Sequence, residues 1–521
     1  MDESRYAVNT GDSSHHHKAS NGSLGRYKVS TWHWKALLFF AIALRAAVAF
    51  HPYSGERTPP MYGDYEAQRH WMEITLNLPA KDWYKDTSDN NLSYWGLDYP
   101  PLSAYASFAT GWFVSLVDPA AVALHDSRGY ETQTSRAAMR LSVVVTDLLV
   151  FFPSLLACVY VVYKKSKPGS SFSCWCECGS ELFRSAAFCL SLPALLLVDH
   201  AHFQYNNVSL GLFLAALTCF VKEHDVLGSA FFCAAIYFKH MLMYYALAIF
   251  AFLVSRMFRL YKGRGAMAAG LYAAKILATI ITISCLIFAP WLMDGELLRG
   301  MLVRLFPISR GLYEDKVANV WCSVSVLFKV NRWLAGKSLF LFCAIITLLA
   351  SLPFCVGVSL QPSPTRLLLA TFGCSLSAYL FSFQVHEKQI LIPLTPIAAL
   401  HGRYPVLSTW MSIAAAFSLF PLLLREGSAS AYAASIAIHV VTAISTPPKF
   451  MGFGGHTRRE RQFMQWFVLG NATVAVVLNF VLIFGRPPAS APDIFVLLNT
   501  AFAGMHFVLI YVVSVFLVFT A

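Results

Sequence analysis

Charged residues are scarce in this sequence, and their scarcity limits the class of protein that it encodes. Asp, Glu, Lys and Arg make up 13% of the 521 residues, whereas hydrophobic residues make up 57%. A soluble globular domain carries about 25% charged residues. The sequence also lacks the regular alternation of polar and apolar residues that lipid-facing barrel strands require. The composition therefore predicts an all-α polytopic membrane protein, because a helix satisfies its own backbone hydrogen bonds in lipid.

Cysteine patterns typical of metal sites or disulfide frameworks are also few. Most of the 12 cysteines lie singly within apolar runs, where cysteine behaves as a small core residue. The exception is the sequence CWCEC, which places Cys174, Cys176 and Cys178 in a basic loop. No second ligand pair lies nearby in the sequence, which favours an ordinary solvated loop over metal ligation or lipidation.

Long apolar runs are abundant, and they predict the membrane spans. Nine strong runs and five shorter or weaker ones together predict about 14 transmembrane helices. The strong runs cover residues 34–50, 141–163, 183–198, 208–221, 267–291, 339–358, 367–383, 463–484 and 494–519. The weaker runs cover residues 226–237, 241–255, 390–400, 406–424 and 429–444. A polar N-terminal stretch delays the first run, so we expect a retained span there and no cleaved signal peptide.

The net charge of +12 is concentrated in short loops between the apolar runs. Lys and Arg cluster at residues 164–167, 256–264 and 449–461, which is the bias expected of cytosolic loops. With these loops and both termini in the cytosol, loop 51–138 lies on the opposite side of the membrane. This assignment requires that residues 101–117 and 316–330 do not cross. No aromatic and basic platform accompanies the charge, so the expected partner is the lipid bilayer and no nucleic acid.

Polar residues collect on the non-cytosolic side of this topology. The segment 51–100 contains eight acidic and four basic residues. Four further polar stretches, at residues 199–206, 239–245, 304–319 and 385–389, abut span ends on the same side. Polar residues at a span end are costly unless they face a cavity. The distribution therefore predicts one convergent polar site.

Carboxylates in the first loop are candidates for general-base chemistry. Asp64 and Glu66 form an Asp-x-Glu pair, and Asp98 precedes Tyr99 and two prolines that stiffen the backbone. A carboxylate beside the membrane can accept the proton of an attacking sugar hydroxyl. The alternative interpretation is that these acids satisfy local backbone amides or Arg69.

Basic and histidine residues from the other polar stretches suggest anion and sugar contacts. His200, His202 and Gln204 have the spacing of metal ligands, and they fit the wall of a sugar pocket at least as well. His386 and Lys388, together with Arg310, could bind a phosphate, although snorkelling at the membrane boundary also explains the first two. Within the spans, either Arg45 pairs with Asp147 or it braces the first polar loop.

Several of these stretches together resemble one enzyme family. The sequences GDYEAQRHW, YWGLDYPP, DHAHFQYNNVSLG, RLFPISRGLYEDKVANVWC and VHEKQILIPLTP are similar to those of the endoplasmic-reticulum dolichyl-phosphate-glucose-dependent α-1,3-glucosyltransferases of N-glycan assembly. The resemblance extends from about residue 45 to residue 396 and is greatest to the members that add the first glucose. The sequence FKHMLMYYAL departs from the family, which tends to carry an acidic residue after the first Met.

The resemblance implies a fold, two substrates and a cellular location. The fold is the GT-C glycosyltransferase fold, with a long luminal first loop. The donor is dolichyl phosphate β-D-glucose, and the acceptor is the high-mannose oligosaccharide on dolichyl pyrophosphate, so the α-1,3 linkage forms with inversion. We expect an endoplasmic-reticulum membrane protein with a luminal active site. The chain then divides into a cytosolic tail at residues 1–33, a catalytic membrane module at residues 34–396 and a C-terminal transmembrane bundle at residues 397–521.

The resemblance also assigns roles to the candidate residues. Asp64, in the family's catalytic position, is the expected general base, and Asp98 is the alternative. His386, Lys388 and Arg310 are the expected contacts to the donor phosphate. The expected sugar or acceptor contacts are Tyr65, Glu66, Arg69, Trp95, Tyr99, His200, His202 and Gln204. Packing within the loop is the alternative for each of the three aromatic residues. No cofactor is expected, and a divalent cation held by Asp64 and Glu66 is the alternative.

Two competing interpretations remain at this point. A family member that adds the second glucose, or one that acts on a shortened acceptor, would use the same catalytic groups. A lipid-linked-sugar transporter would also have many spans, but it should show inverted halves with matching broken helices. The sequence contains no such internal repeat, which favours the transferase.

Overall fold

The fold is helical throughout the part of the chain that can be described. The computed structural model describes residues 29–166, 179–306, 312, 316–325, 328, 330–334, 336–446 and 458–521, and it gives only the backbone of residues 458–465 and 467. The cysteine cluster at residues 174–178 and Arg310 lie outside the described residues. No β-strand occurs within the described ranges, which confirms the predicted all-α class.

Twenty α-helices follow one another in the described segments. They are α1 (Thr31–Ala49), α2 (Gly63–Asn77), α3 (Pro101–Val117), α4 (Gln133–Thr146), α5 (Phe152–Ser166), α6 (Gly179–Leu190), α7 (Pro193–Leu196), α8 (Asn206–Val221), α9 (Asp225–Phe238), α10 (Ala246–Leu292), α11 (Gly295–Leu305), α12 (Val320–Val324), α13 (Gly336–Leu360), α14 (Pro364–Phe381), α15 (Leu391–Ala399), α16 (Pro405–Ser418), α17 (Phe420–Arg425), α18 (Ala429–Ile444), α19 (Arg458–Phe484) and α20 (Ile494–Thr520). Short π-helical segments, Asp147–Phe151 and Leu197–Phe203, extend α4 into α5 and continue α7.

Seven helical segments in the described ranges are long and apolar enough to cross a membrane. They are Thr31–Ala49, Gln133–Ser166, Gly179–Phe203, His240–Leu292, Gly336–Leu360, Pro405–Arg425 and Ile494–Thr520. Four shorter apolar helices accompany them. The segment His240–Leu292 contains a break, because Gly265 has a φ of 81° that is incompatible with a continuous helix. The chain is therefore a multi-span membrane protein, while the number of 14 spans and the luminal position of loop 51–138 stay predictions.

The start of α2 is fixed by a close crossing of two backbone segments. Gly63 has a φ of 70°, and a β-carbon there would lie 2.8 Å from the backbone of Ser54. Gly55 has a φ of 77°, and a β-carbon there would lie 1.9 Å from the carbonyl oxygen of Tyr62. Only glycine fits this crossing at both positions. The crossing places Asp64 in the first turn of α2, where the helix dipole stabilises a carboxylate.

A buried ion-pair network holds α2 in its orientation. The guanidinium of Arg69 binds both oxygens of Glu66, at 2.7 Å from Nε and 2.6 Å from Nη2, and Nη2 also lies 2.8 Å from Oε2 of Glu73. All three side chains are at most 2% exposed. Because each charge is paired and hydrogen-bonded, the network tolerates burial and fixes the face that α2 presents to its neighbours.

One hydrophobic core runs through both halves of the chain. Leu394 in α15 and Met411 in α16 belong to the same buried cluster, together with Phe354 in α13 and Phe507 in α20. This cluster contains residues on both sides of residue 396, and the division of the chain there stays a prediction. The C-terminal helices are consequently packed against the helices that carry the candidate site.

Candidate active site

A cavity of about 320 Å³ lies where four of the five polar stretches meet. The residues that line it include Asp64, Trp95, Asp98, Tyr99, Gln204, Lys239, His386 and Lys388. Arg304, from the fifth stretch, donates to the carbonyl of Leu97 at 2.6 Å and braces the loop that carries Asp98. The structure thus brings the polar residues to one place, as the sequence predicted.

Asp64 is a densely contacted carboxylate of this cavity. Its Oδ2 lies 2.6 Å from Nζ of Lys388 and 3.0 Å from Nε2 of His202, and it also accepts a hydrogen bond from Nε2 of Gln204. Within the described residues, no side chain donates to the other oxygen, Oδ1. The Asp64 side chain is 26% exposed. One oxygen is therefore held by three donors, and the other remains available to a ligand.

The ion pair between Asp64 and Lys388 shifts the protonation equilibria of both groups. Burial raises the pKa of Asp64, but the Lys388 ammonium and the His202 ring outweigh it and hold this pKa well below the usual aspartate range. Burial lowers the pKa of Lys388, whereas the Asp64 carboxylate raises it, and the net shift is upward. Both groups are thus charged at neutral pH, and Asp64 in this state is a weak base.

His202 connects Asp64 to the C-terminal helices. Its Nδ1 lies 2.6 Å from Oε1 of Glu426, which follows the last residue of α17. The histidine side chain is 2% exposed, and the glutamate side chain is 9% exposed. The ring is therefore held between two carboxylates, one from the first loop and one from the C-terminal bundle.

The loop before α3 carries three of the predicted residues into the cavity. Asp98, Trp95 and Tyr99 all line it. Trp71 in α2 donates to the carbonyl of Trp95 at 2.8 Å, and Tyr84 donates to the carbonyl of Tyr99 at 2.6 Å. These bonds fix the backbone of the loop. Trp95 and Tyr99 line the cavity, and stacking of their rings on a sugar stays a prediction.

Five of the predicted sugar or acceptor contacts lie outside the cavity lining: His202, described above, and the four residues that follow. Tyr65 is 2% exposed and stacks on Tyr53 with ring centroids 4.0 Å apart, while Glu66 and Arg69 bind each other. Nε2 of His200 lies 3.0 Å from Oδ2 of Asp147. The sugar-binding role of these four residues stays a prediction, but packing or ion pairing already engages each side chain.

Arg45 and Asp147, two of the charged residues inside the spans, form a pair. Nε of Arg45 lies 2.5 Å from Oδ2 of Asp147, and both side chains are at most 1% exposed. Arg45 also donates to the carbonyls of Ala41 and Leu190. Of the two possibilities that the sequence left open, pairing is confirmed. The pair joins α1 to the π-helical segment between α4 and α5, and Asp147 also contacts His200.

Of the two carboxylates proposed as alternative ligands of a divalent cation, Glu66 is already engaged by other side chains. Oε1 of Glu66 accepts from the Tyr94 hydroxyl at 2.7 Å and from Arg69 at 2.6 Å. Among the described residues, no three His, Cys, Asp or Glu side chains lie close enough together to hold a metal ion. The absence of a metal from the reaction stays a prediction.

Two residues of the site were not assigned a role from the sequence. Lys239 was noted only as part of a polar stretch that departs from the family, and Glu426 lies in LLLREGSAS, which reads as an ordinary loop. Lys239 is buried, and it donates to the side chain of Asn206. Because Lys239 follows an apolar run, the sequence pattern could have indicated a buried cation there. No sequence pattern indicated that Glu426 belongs to the site.

A second, smaller cleft adjoins the cavity. Its volume is about 220 Å³, and it shares Gln68, Tyr99, Gln204 and Lys239 with the larger cavity. The rest of its lining is mainly apolar or small and includes Ala106, Val150, Val208 and Phe238. A polar chamber and an apolar cleft therefore meet at Lys239.

Comparisons with known proteins agree with the resemblance. The sequence profile of the ALG6, ALG8 glycosyltransferase family matches residues 40–514. A Gallus gallus protein named "Dolichyl pyrophosphate Man9GlcNAc2 alpha-1,3-glucosyltransferase" is 38% identical over 489 residues, which cover 90% of this chain and 93% of the relative. A Saccharomyces cerevisiae protein of the same name is 35% identical over 511 residues, which cover 92% and 90%. Since the match spans nearly the whole sequence, the chain belongs to the ALG6, ALG8 glycosyltransferase family.

Proposed function

We propose that this protein transfers glucose from dolichyl phosphate β-D-glucose to a terminal mannose of Man9GlcNAc2 on dolichyl pyrophosphate. The product linkage is α-1,3, and the reaction takes place at the luminal face of the endoplasmic reticulum. The names of the relatives support the acceptor and the linkage. Family membership favours this transfer over a transporter. The cavity supports the identity of the donor and the roles of individual residues.

The observation that carries the proposal is the asymmetric environment of Asp64. Three donors hold Oδ2, and Oδ1 belongs to a partly exposed side chain in a cavity that is large enough for a sugar. The acceptor hydroxyl donates to Oδ1, and Asp64 takes its proton as the oxygen attacks C1 of glucose. The bond between C1 and the phosphate oxygen breaks on the opposite side, so the configuration inverts. The leaving dolichyl phosphate carries away the electron pair as an anion.

Donor binding resolves the weak basicity of Asp64. In the ligand-free cavity, Lys388 neutralises this carboxylate across 2.6 Å. The donor phosphate is a competing anion beside His386 and Lys388, which are neighbours in the chain and in the cavity lining. When Lys388 turns to the phosphate, Asp64 loses its main cationic neighbour and its pKa rises. The base thus becomes effective when the donor is present.

The two adjoining clefts support a lipid-linked donor. A polyprenyl phosphate needs an apolar channel for its chain, a cation for its phosphate and a polar chamber for its sugar. Lys239 lies at the junction of the two clefts, and Nζ is 4.8 Å from the centroid of the Tyr99 ring. Among the described residues, it pairs with amide oxygens of Asn206 and Gln204 and with no carboxylate. Its charge is therefore available to the phosphate.

A transfer assay with defined substrates tests the proposal. The reconstituted protein receives a synthetic donor and a panel of lipid-linked acceptors of different sizes, with and without a chelator. We expect transfer to the nine-mannose acceptor, indifference to the chelator and a loss of at least about 100-fold in Asp64→Asn. Asp126→Asn, an exposed acid of the same loop, is the matched control.

Three results would contradict specific parts of the proposal. Full activity of Asp64→Asn excludes that residue as the base. Activity that returns to chelated enzyme only with added cation excludes the metal-free mechanism. Transfer only to an acceptor that already carries one glucose, or only to a shortened acceptor, replaces the proposed acceptor.

A further inference from the structure

A buried carboxylate of the C-terminal bundle reaches the proposed base through a single side chain. Oε1 of Glu426 lies 2.6 Å from Nδ1 of His202, and Nε2 of the same ring lies 3.0 Å from Oδ2 of Asp64. The second oxygen of Glu426, Oε2, is buried and has no hydrogen-bond partner among the described residues. Since an unsatisfied buried carboxylate oxygen is costly, the position of Glu426 needs an explanation beyond packing.

The backbone around His202 is as firmly held as its ring. Its carbonyl accepts from the backbone amide of Ser54 at 3.1 Å, in the segment that crosses the start of α2. The preceding carbonyl, of Ala201, accepts from the Arg140 guanidinium at 3.0 Å. The remaining charged group that faces the ring is Lys388, whose Nζ lies 3.1 Å from Nε2. The ring is therefore surrounded by two carboxylates, one ammonium and, behind the backbone, one guanidinium.

The two ring nitrogens face carboxylate oxygens, an arrangement that suits a ring with a proton on each nitrogen. A histidine that carries a proton on both nitrogens donates to Glu426 and to Asp64 at once. With His202 in this form, Glu426 and Asp64 supply two negative charges, and His202 and Lys388 supply two positive ones. Without Glu426, the proton on Nδ1 has no acceptor, and the ring has no fixed orientation toward Asp64.

We propose that Glu426 is a positioning residue of the transfer reaction. It accepts the Nδ1 proton of His202, so that Nε2–H donates to Oδ2 of Asp64 and Oδ1 is presented to the acceptor hydroxyl. The inference rests on the proposed function, because it assumes that Asp64 is the base. It also means that the C-terminal bundle, which lies beyond the residues that carried the sequence resemblance, supplies a side chain on which the chemistry depends.

Removal of the Glu426 carboxylate should lower turnover and leave substrate binding unchanged. Glu426 is absent from the residues that line the cavity, so its removal leaves the described ligand contacts in place. What it changes is the alignment of the base with the reacting hydroxyl. Substitution of a group that orients a functional histidine typically costs about 10-fold to 100-fold in activity. We therefore expect kcat to fall and both KM values to stay nearly constant.

A double-mutant cycle tests whether Glu426 acts through His202. The full-length reconstituted enzyme is compared as wild type, Glu426→Ala, His202→Ala and the double variant, with kcat and both KM values measured. We expect Glu426→Ala to lose at least about 10-fold in kcat and the double variant to be no slower than His202→Ala. Glu426→Gln retains an acceptor oxygen for Nδ1–H, so its kcat should lie between those of Glu426→Ala and wild type.

A matched control separates positioning from a general contact between the bundle and the first loop. The Ser430 hydroxyl lies 3.1 Å from Nε2 of His51 and joins the same two regions without touching His202. Ser430→Ala should keep wild-type kcat. An equal loss in Ser430→Ala, additive losses in the double variant, or wild-type kcat in Glu426→Ala would each overturn the inference.

Two further measurements keep the outcome interpretable. The apparent melting temperature of each variant shows whether a loss of kcat follows a loss of folded protein, and Glu426→Gln provides the comparison if Glu426→Ala does not fold. A wild-type kcat in Glu426→Gln with Glu426→Ala unfolded overturns the inference, since only stability would then depend on this residue. Asp64→Asn in the same assay separates the two proposals: if it is inactive while the Glu426 variants are normal, only the inference fails.

Discussion

Nζ of Lys388 lies 2.6 Å from Oδ2 of Asp64, so the cation expected to meet the donor phosphate neutralises the proposed base in the ligand-free protein. The two partners come from segments far apart in the sequence, the first turn of α2 and the short helix Glu387–Ile390. Their proximity links the donor and acceptor halves of the reaction. If the Lys388 ammonium moves from Asp64 to the phosphate, it stabilises the leaving anion, and the carboxylate regains its basicity.

Removal of Lys388 should shift the pH dependence of the reaction. The Lys388 ammonium lowers the pKa of Asp64, and only the ionised carboxylate accepts a proton. In Lys388→Met, the pKa of Asp64 therefore rises, and the acidic limb of the kcat/KM profile moves to higher pH by about one unit or more. Lys388→Arg keeps the positive charge and should leave the limb near its wild-type position. An unmoved limb in Lys388→Met would show that Asp64 does not control it.

Lys239 should determine the affinity for the donor. Loss of a charged hydrogen bond to phosphate costs about 1.5–3 kcal/mol, so Lys239→Met should raise the donor KM by about 10-fold or more and leave the acceptor KM unchanged. The exposed Lys222, at the end of α8, offers Lys222→Met as a control for the loss of one positive charge. Equal effects on both KM values would place Lys239 outside the donor site.

The charge of Lys239 should also make donor binding depend on pH. Burial and the Lys388 charge lower the pKa of Lys239 to about 8, which is below its ordinary value. The ammonium is therefore lost as the pH rises through this range, and the donor KM of the wild type should increase above about pH 8. Lys239→Met has no such proton to lose. Its donor KM, already high, should stay flat across the same range.

The ion-pair network of α2 should be a major source of local stability. Arg69 is 1% exposed, and its loss would leave Glu66 and Glu73 as buried charges without their partner. Breaking such a network costs about 3–5 kcal/mol. In thermal unfolding in detergent, Arg69→Met should lower the apparent melting temperature markedly, whereas Arg57→Met, an exposed residue of the same loop, should have little effect. Equal melting temperatures of Arg69→Met and the wild type would contradict this prediction and would mean that water solvates the two carboxylates in the variant.

The turn before α2 should tolerate no side chain at Gly63. Alanine there meets both an unfavourable φ of 70° and a backbone atom at 2.8 Å, and the conformational term alone costs about 1–2 kcal/mol. Because Asp64 is the next residue, Gly63→Ala should lower kcat as well as stability. Gly270→Ala in α10, where no atom lies within 4 Å of an added β-carbon, is the control and should retain activity. Normal activity in Gly63→Ala would show that the two crossing backbone segments can move apart without disturbing Asp64.

The helical class and the position of the site could be predicted from the sequence because each has a local signal. Hydropathy alone marks the apolar helices, and the end of each apolar run marks where polar residues collect, as for Gln204 and Lys388. The motif around Asp64 identified the carboxylate that the structure places in the cavity. These are statements about neighbours in the chain, and they need no knowledge of how helices pack.

The direction of each side chain could not be predicted in this way. Tyr65 and Glu66 are the two residues after Asp64, yet they contact Tyr53 and Arg69. Their side chains point elsewhere because successive residues of a helix are rotated by about 100°. His200 and His202 likewise look like one ligand pair, but the π-helical turn sends them to Asp147 and Asp64. Glu426 is a still harder case, since its partner depends on the packing of helices distant in sequence.

The pairing of Arg45 with Asp147 connects the first apolar helix, α1, to the surroundings of the candidate active site. Oδ2 of Asp147 lies between Nε of Arg45 and Nε2 of His200, and His200 stands two residues before the ring that touches Asp64. A tilt or rotation of α1 would therefore be transmitted through two polar contacts to His200 and along the chain to His202, which contacts Asp64. A change in bilayer thickness that tilts α1 would thereby alter the alignment of His202 with Asp64.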